Sequence, residues 1–148
     1  MANSAIPIED NKVADPSADI LSVLRTPSMQ LVGRVRTGLP FAELEALREP
    51  LGLSLQELAG IAGIPARTLV RRRQSGRLDP IESERVLRIE RLLALATEML
   101  RDRNRARDWL KSPKAALAGQ SPLACADTEV GAREVEQLIG RLRHGVFS

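Results

Sequence analysis

Apolar residues recur every three or four positions along most of the chain, which is the spacing of one face of an α-helix. The longest such stretch predicts a helix of about residues 80–101, which starts with a capping aspartate and a proline. Its apolar face would consist of Val86, Ile89, Leu93, Ala96 and Leu100. Aromatic residues make up only 2% of the sequence, so aliphatic side chains must build the core. Because strands prefer aromatic and β-branched residues, this composition favours an all-α fold.

The chain ahead of this helix divides into a tail and several shorter elements. Residues 1–18 are polar, contain two prolines and show no periodicity, which predicts a disordered N-terminal tail. A short helix is expected at 18–25, and either a helix or a strand at 29–36. Pro40 can then open a helix that ends before Pro50. The apolar positions of that helix are Phe41, Leu44 and Leu47.

Residues 53–73 fit a helix-turn-helix, in which two short helices cross at a small residue and a glycine supplies the turn between them. Ser54 and Glu57 have the capping-box pattern of a first helix at about 54–62. Ala59 and Gly63 have the spacing of the small residue and of the turn glycine, and the next proline can open the second helix. The contacts between the two helices are expected from Leu55, Leu58, Ile64 and Leu69.

The second helix of this motif carries candidate DNA contacts, because its N-terminal residues meet base edges while flanking groups hold phosphates. We predict base contacts for Arg67 and Thr68, next to Ala66. Phosphate contacts are predicted for Arg71, Arg72, Arg73 and Arg77. Alternatively, residues 71–73 form a solvated charge run on a structural helix. Successive helical residues are roughly 100° apart, so some of these arginines must contact solvent or a neighbouring carboxylate.

The charge pattern points to the same segment. Residues 66–77 carry five arginines and no acid, whereas residues 81–110 mix seven arginines with six acids. Since a phosphate-binding surface needs cations that are not neutralised by neighbouring acids, only the first segment is a plausible DNA contact.

The region after the long helix is predicted to form a small helical module of residues 103–148. It follows a predicted helix-turn-helix domain of residues 19–102. A helix is expected at about 104–111. Ser112 and Ser121 are each followed by a proline, which predicts two further short helices. Thr128 would cap a last helix that ends near Gly145. The apolar stripe of that helix would be Val130, Val135, Leu138, Ile139 and Leu142.

The residues that could support catalysis or metal binding favour a binding protein over an enzyme. His144 is the only histidine and Cys125 the only cysteine, and nineteen residues separate them, so neither has partners for a metal site or a thiol nucleophile. Cys125 is expected to be a small buried residue on a short helix. The sequence has no phosphate-binding glycine loop, and we expect no cofactor, no metal and no enzymatic activity.

No apolar run approaches the roughly 18 residues that cross a membrane. The first residues also lack the basic and apolar regions of a secretory signal. We therefore expect a cytoplasmic protein without membrane contact.

An ordered series of short motifs adds a family resemblance. Its first half comprises Gly38-Leu39-Pro40, Thr68-Leu69-Val70-Arg71-Arg72-Arg73, Gly76-Arg77-Leu78 and Glu84-Arg85. Its second half comprises Ala106, Trp109-Leu110, Ala116-Leu117, Gly119, Ser121-Pro122-Leu123, Thr128, Gly131, Val135, Leu138 and His144-Gly145. With this series, residues from about 38 to 147 resemble the Xre/MbcA/ParS family of antitoxins, whose toxins carry a RES domain and consume NAD.

The resemblance implies that the two parts of the chain have different functions. The helix-turn-helix domain would bind the operon's own promoter, and residues 103–148 would be a toxin-binding domain that obstructs the NAD cleft of the toxin. The implied toxin contacts are Arg141, Arg143, His144, Val146 and Phe147. Trp109, Leu110 and Leu117 are expected to shape the module from its core instead.

The sequence thus predicts an antitoxin with two partners, a RES-domain toxin and operator DNA. A helix-turn-helix of this size normally reads a two-fold site as a dimer, so a homodimer within a larger complex is expected. Two alternatives stay open. One is a stand-alone helix-turn-helix repressor without a toxin partner, and the other is a structural adaptor that has lost DNA binding.

Overall fold

The computed structural model describes residues 16–145, and their side chains from residue 19 onward. Helices form most of this part, and the predicted all-α class is confirmed. Its α-helices are α1 (Pro16–Arg25), α2 (Ser28–Thr37), α3 (Phe41–Ala46), α4 (Arg48–Leu51), α5 (Leu55–Ile61), α6 (Ala66–Ser75), α7 (Pro80–Leu100), α8 (Arg103–Lys111), α9 (Pro122–Cys125) and α10 (Glu129–Arg143). A turn of 3-10 helix, Ala115–Leu117, lies between α8 and α9.

Helix α7 lies at the centre of the fold, where α1, α2, α8 and α10 all pack against it. Four of the five apolar residues predicted for its inner face are fully buried: Val86, Ile89, Leu93 and Ala96. The buried cluster around α7 extends from Leu39 to Ile139. The helix-turn-helix part and the C-terminal helices therefore share one continuous core.

Three helix boundaries differ from the sequence prediction. Helix α1 begins at Pro16, inside the segment predicted as a disordered tail, whose first fifteen residues lie outside the described residues. Pro50 lies within the first turn of α4. N–H groups in the first turn have no partner within the helix, so proline, which lacks an N–H, is tolerated there. Ser112 ends α8 instead of starting a helix, because its hydroxyl donates to the carbonyl of Asp108 at 2.5 Å.

The loops on either side of the helix-turn-helix are tied together. Residues 39–41 pair with residues 76–78 through two backbone hydrogen bonds of 2.9 Å, from Phe41 to Gly76 and from Leu78 to Leu39. The N–H of Leu39 also donates to the fully buried hydroxyl of Ser83 on α7 at 2.8 Å. These loops correspond to two of the motifs behind the family resemblance, and in the fold they form one structural unit that anchors the first core helix to the start of α7.

A cleft of about 380 Å³ is lined by residues of α1, α2, α3, α4, α7 and α8. The carboxyl groups of Glu43 and Glu90 meet in it, and Arg34 forms an ion pair with Glu43. Burial, followed by the charge of Glu43 and a hydrogen bond to it, raises the pKa of Glu90 to about 8, while Arg34 opposes the shift. At neutral pH, Glu90 is therefore mostly protonated in the folded protein.

This raised pKa predicts a pH dependence of stability. Because the folded protein keeps a proton that the unfolded chain releases, the contribution of Glu90 is complete below its ordinary pKa of 4.5 and is lost as the pH rises to about 8. Glu90→Gln should therefore flatten the decline of the unfolding free energy across this range, measured by urea denaturation at several pH values. Glu134→Gln, at an exposed position of α10, is the control. Equal slopes for the parent and Glu90→Gln would contradict the prediction.

Candidate nucleic-acid and partner interfaces

Helices α5 and α6 form the predicted helix-turn-helix. The capping box of Ser54 and Glu57 is present, with both reciprocal hydrogen bonds made. Gly63 adopts a φ of +69° in the turn, a conformation that favours glycine. The N–H of Ile64 then donates to the carbonyl of Ala59 at 2.8 Å, which closes the turn. The sequence pattern therefore located both the helices and the turn between them.

The two helices are held by the apolar residues that the sequence singled out. The exposed fractions of Leu55, Leu58, Ile64 and Leu69 are between 0% and 6%. Arg85 of α7 lies against the turn, and its guanidinium donates to the carbonyl of Gly63 at 3.4 Å. Helices α5 and α6 are thus fixed to α7, and the opposite side of α6 lies outside the core.

The outward face of α6 carries Ala66, Arg67, Val70, Arg71 and Gln74, all exposed. Thr68 is half-buried at the edge of this face. Val70 and Gln74 were missed by the sequence analysis, although they follow Ala66 at intervals of four residues. Val70 is 58% exposed.

Arg72 has a structural role that the sequence prediction of a phosphate contact did not include. Its Nε donates to Glu82 at 2.7 Å, and its Nη2 lies 3.2 Å from Asp79. Glu82 and Asp79 also form the capping box of α7. The hydrogen bond to Glu82 raises the pKa of Arg72 above its ordinary value. Arg72 therefore joins α6 to α7.

Arg73 and Arg77 are partly engaged as well. Arg73 is 64% exposed and lies 3.5 Å from Glu45, a separation typical of a weak surface ion pair. Arg77 donates to the carbonyl of Gly38 at 2.5 Å, which supports the paired loops described above. Of the predicted phosphate contacts, Arg71 is the residue that the fold presents most openly.

The C-terminal helices contribute buried side chains to the common core. Leu110, Leu117, Leu123, Val135 and Ile139 are buried there, which confirms the core position expected for Leu110 and Leu117. Trp109 is only half-buried, and the Lys114 ammonium lies 4.9 Å from its ring centroid. The partial burial of Lys114 lowers its pKa. Cys125 is buried on α9 as predicted, and this burial together with Asp127 raises the pKa of its thiol.

Helix α10 differs from its predicted apolar stripe at both ends. Val130 is 69% exposed and Leu142 is 37% exposed, while Ala132 joins the buried residues. Successive helical residues are roughly 100° apart, so Val130 lies on the opposite side of α10 from the buried Ala132.

The predicted toxin contacts lie at the end of α10. Arg141 is partly buried, and Arg143 reaches Glu98 of α7 at 2.5 Å. His144 is the exposed C-cap of the helix. Val146 and Phe147 lie outside the described residues. The ion pair of Arg143 orients the last turn of α10 relative to α7.

The described part of the chain contains neither a grouping of metal ligands nor a membrane-spanning helix. No three His, Cys, Asp or Glu side chains come together there in a way that could hold a metal ion. None of the helices between residues 16 and 145 has the length and apolar character of a membrane span.

Comparison with known proteins gives two family matches. Residues 30–91 match the antitoxin Xre-like helix-turn-helix domain, and residues 95–145 match the antitoxin Xre/MbcA/ParS C-terminal toxin-binding domain. The first match covers α5 and α6, and the second covers α8 to α10. Both of the surfaces described above thus fall within matched domains.

Similar proteins carry the name Antitoxin Xre. The chain is 38% identical to one from Yersinia enterocolitica over 80% of its own length and 81% of that protein. It is 33% identical to one from Photorhabdus laumondii over 75% of its length and 76% of the relative. A third, from Pseudomonas putida, is 30% identical over 55% of this chain and 52% of the relative.

Proposed function

The chain belongs to the Xre/MbcA/ParS family of antitoxins, and from this premise we propose that it neutralises a RES-domain toxin and represses its own operon. Membership of an antitoxin family agrees with the prediction of a binding protein rather than an enzyme. The observation that carries the toxin-binding half is the match of residues 95–145 to a toxin-binding domain. This match favours an antitoxin over a stand-alone repressor, which would have no use for such a domain.

The toxin contact is proposed at the end of α10. His144 is exposed at the C-cap, and the helix is oriented there by the ion pair between Arg143 and Glu98. The end of a folded helix is suited to an interface, because little ordering of its backbone opposes binding. Arg141, Arg143 and His144, followed by Val146 and Phe147, would then block the NAD-binding cleft of the toxin.

Removal of residues 144–148 tests this contact. The described helix α10 ends at Arg143, so the shortened chain should fold with the melting temperature of the parent. Its affinity for the co-purified toxin should fall at least tenfold, since contacts at an interface centre dominate binding energy. Growth rescue on co-expression with the toxin should be lost in parallel. Arg25→Ala, an exposed change on α1, is the control. Unchanged affinity in the shortened chain would exclude this contact.

The DNA-binding half is proposed for the outward face of α6, with Arg67 reading base edges and Arg71 holding phosphate. The exposure of both side chains, and their freedom from intramolecular ion pairs among the described residues, supports these roles. Because helix-turn-helix proteins read two-fold sites, we propose a homodimer on the operator. Light scattering of the purified protein measures that state directly.

Arg67→Ala and Arg71→Ala should each weaken binding to a labelled duplex from upstream of the gene by about tenfold. Only Arg67→Ala should also relax the preference for that sequence over random duplex, because phosphate contacts carry no sequence information. Arg133→Ala, on α10, is the control and should bind as the parent does. If both α6 variants kept full affinity, the adaptor alternative would replace the repressor.

A further inference from the structure

Helix α8 carries a row of cations on the side that faces α4. Arg103, Arg107 and Lys111 follow at intervals of four residues, so their side chains lie along one line of the helix. The ammonium of Lys111 donates to the carbonyl of Gly52 at 3.1 Å. A Cβ added at Gly52 would lie 3.1 Å from the Cδ of Arg107. This row, called the basic stripe below, therefore runs beside the end of α4.

The basic stripe borders the helix-turn-helix. Gly52 is the C-cap of α4, and Ser54, two residues later, is the N-cap of α5. In helix-turn-helix complexes the first helix of the pair crosses the DNA backbone while the second enters the groove. A duplex held by α5 and α6 would consequently pass close to the end of α4, where the stripe lies.

The guanidinium group of Arg107 has few partners within the described part of the chain, whereas Lys111 is bound to Gly52. A small cavity of about 210 Å³ is lined by Arg103, Asn104 and Arg107, together with Glu49 and Pro50. Arg107 has a single long contact of 3.4 Å, with the neighbouring Asp108. Because a guanidinium carries five N–H donors, Arg107 is suited to bind an external anion.

We propose that the basic stripe binds the phosphate backbone of the DNA that α6 reads, so that the C-terminal part of the chain takes part in DNA binding. The inference rests on the proposed DNA-binding function of α5 and α6. Nucleic acid is favoured over an acidic protein surface because the stripe adjoins the start of α5. Two acids lie near the stripe, Glu49 in the cavity and Asp108 beside Arg107, and the three cations outnumber them.

The test measures how the DNA affinity of the protein depends on salt concentration. Each phosphate contact adds about 0.9 to the slope of log Kobs against log salt concentration. The full chain is titrated against a fluorescein-labelled random-sequence duplex by anisotropy at several salt concentrations. The variant Arg103→Gln, Arg107→Gln, Lys111→Gln should reduce the slope by about two to three. Arg107→Gln alone should reduce it by about one, while Arg133→Gln on α10 should leave it unchanged.

A charge-preserving variant separates loss of contact from loss of folding. Arg103→Lys, Arg107→Lys, Lys111→Arg should keep the slope of the parent. If the triple glutamine variant keeps the full slope while Arg67→Gln with Arg71→Gln loses it, the stripe proposal is overturned and the α6 proposal stands. If only the triple glutamine variant loses slope, the role proposed for α6 is overturned, and with it the inference that the stripe binds DNA that α6 reads. If the triple variant loses toxin affinity with its DNA slope intact, the stripe belongs to the toxin interface and the proposal fails.

Discussion

Replacement of Gly38 by alanine should lower the free energy of unfolding by about 4 kcal/mol. Gly38 has a φ of +93°, which strains any residue with a side chain. A Cβ at this position would lie 2.2 Å from the carbonyl oxygen of Leu78, so the paired loops, residues 39–41 and 76–78, would have to separate. Their hydrogen bonds, and the bond from Leu39 to the buried Ser83, would be strained with them.

Gly76→Ala is the matched control for this prediction. Gly76 lies in the partner loop with a φ of +77°, but nothing lies within 4 Å of an added Cβ. It should therefore show only the cost of the positive φ, about 1 kcal/mol. Thermal and urea unfolding of both variants measure the difference. If the two variants were equally stable, the close approach at Gly38 would have no energetic significance.

Gly131→Ala should have the largest effect in the C-terminal helices, a loss of about 2 kcal/mol. An added Cβ would lie 2.1 Å from the carbonyl oxygen of Cys125 and 2.9 Å from the hydroxyl of Thr128. That hydroxyl caps α10 by accepting a hydrogen bond from the N–H of Gly131 at 2.9 Å. The first turn of α10 would have to move away from α9, which disturbs the cap and the packing of the module together.

Gly140→Ala provides the comparison within the same helix. No neighbour lies within 4 Å of an added Cβ at Gly140, so alanine should raise stability there by up to about 1 kcal/mol through its higher helix propensity. The two substitutions are chemically identical and should change the unfolding free energy in opposite directions. A gain in stability for Gly131→Ala would show that α9 and α10 can separate freely. If the proposed function holds, Gly131→Ala should also lose toxin neutralisation, while Gly140→Ala should keep it.

The helix-turn-helix was predictable because its signals are local. Ser54 with Glu57, the spacing of Ala59 and Gly63, and the four apolar residues between the helices all act over a few residues. A capping box or a turn glycine needs no distant partner to take effect. The same reasoning explains why the caps at Asp79, Ser121 and Thr128 were predicted correctly.

Roles that depend on distant partners were not predictable in this way. Ser112 has the same cap-and-proline sequence as Ser121, but its hydroxyl bonds back to α8 and no helix starts there. Arg71 and Arg72 are neighbours with identical side chains. Only the position of Glu82, brought close by the packing of α7, makes Arg72 a structural residue and leaves Arg71 exposed.

The sequence alone determined most of the helices and caps, the all-α class and the family, because periodicity, capping and motif order depend on near neighbours. The tertiary structure decided which cations are engaged and what lies beside them. Arg103, Arg107 and Lys111 form a row because they follow at intervals of four residues on α8, but the packing of α8 against α4 places this row beside Gly52 and the start of α5. Charges act through space, so the sequence could not reveal that position.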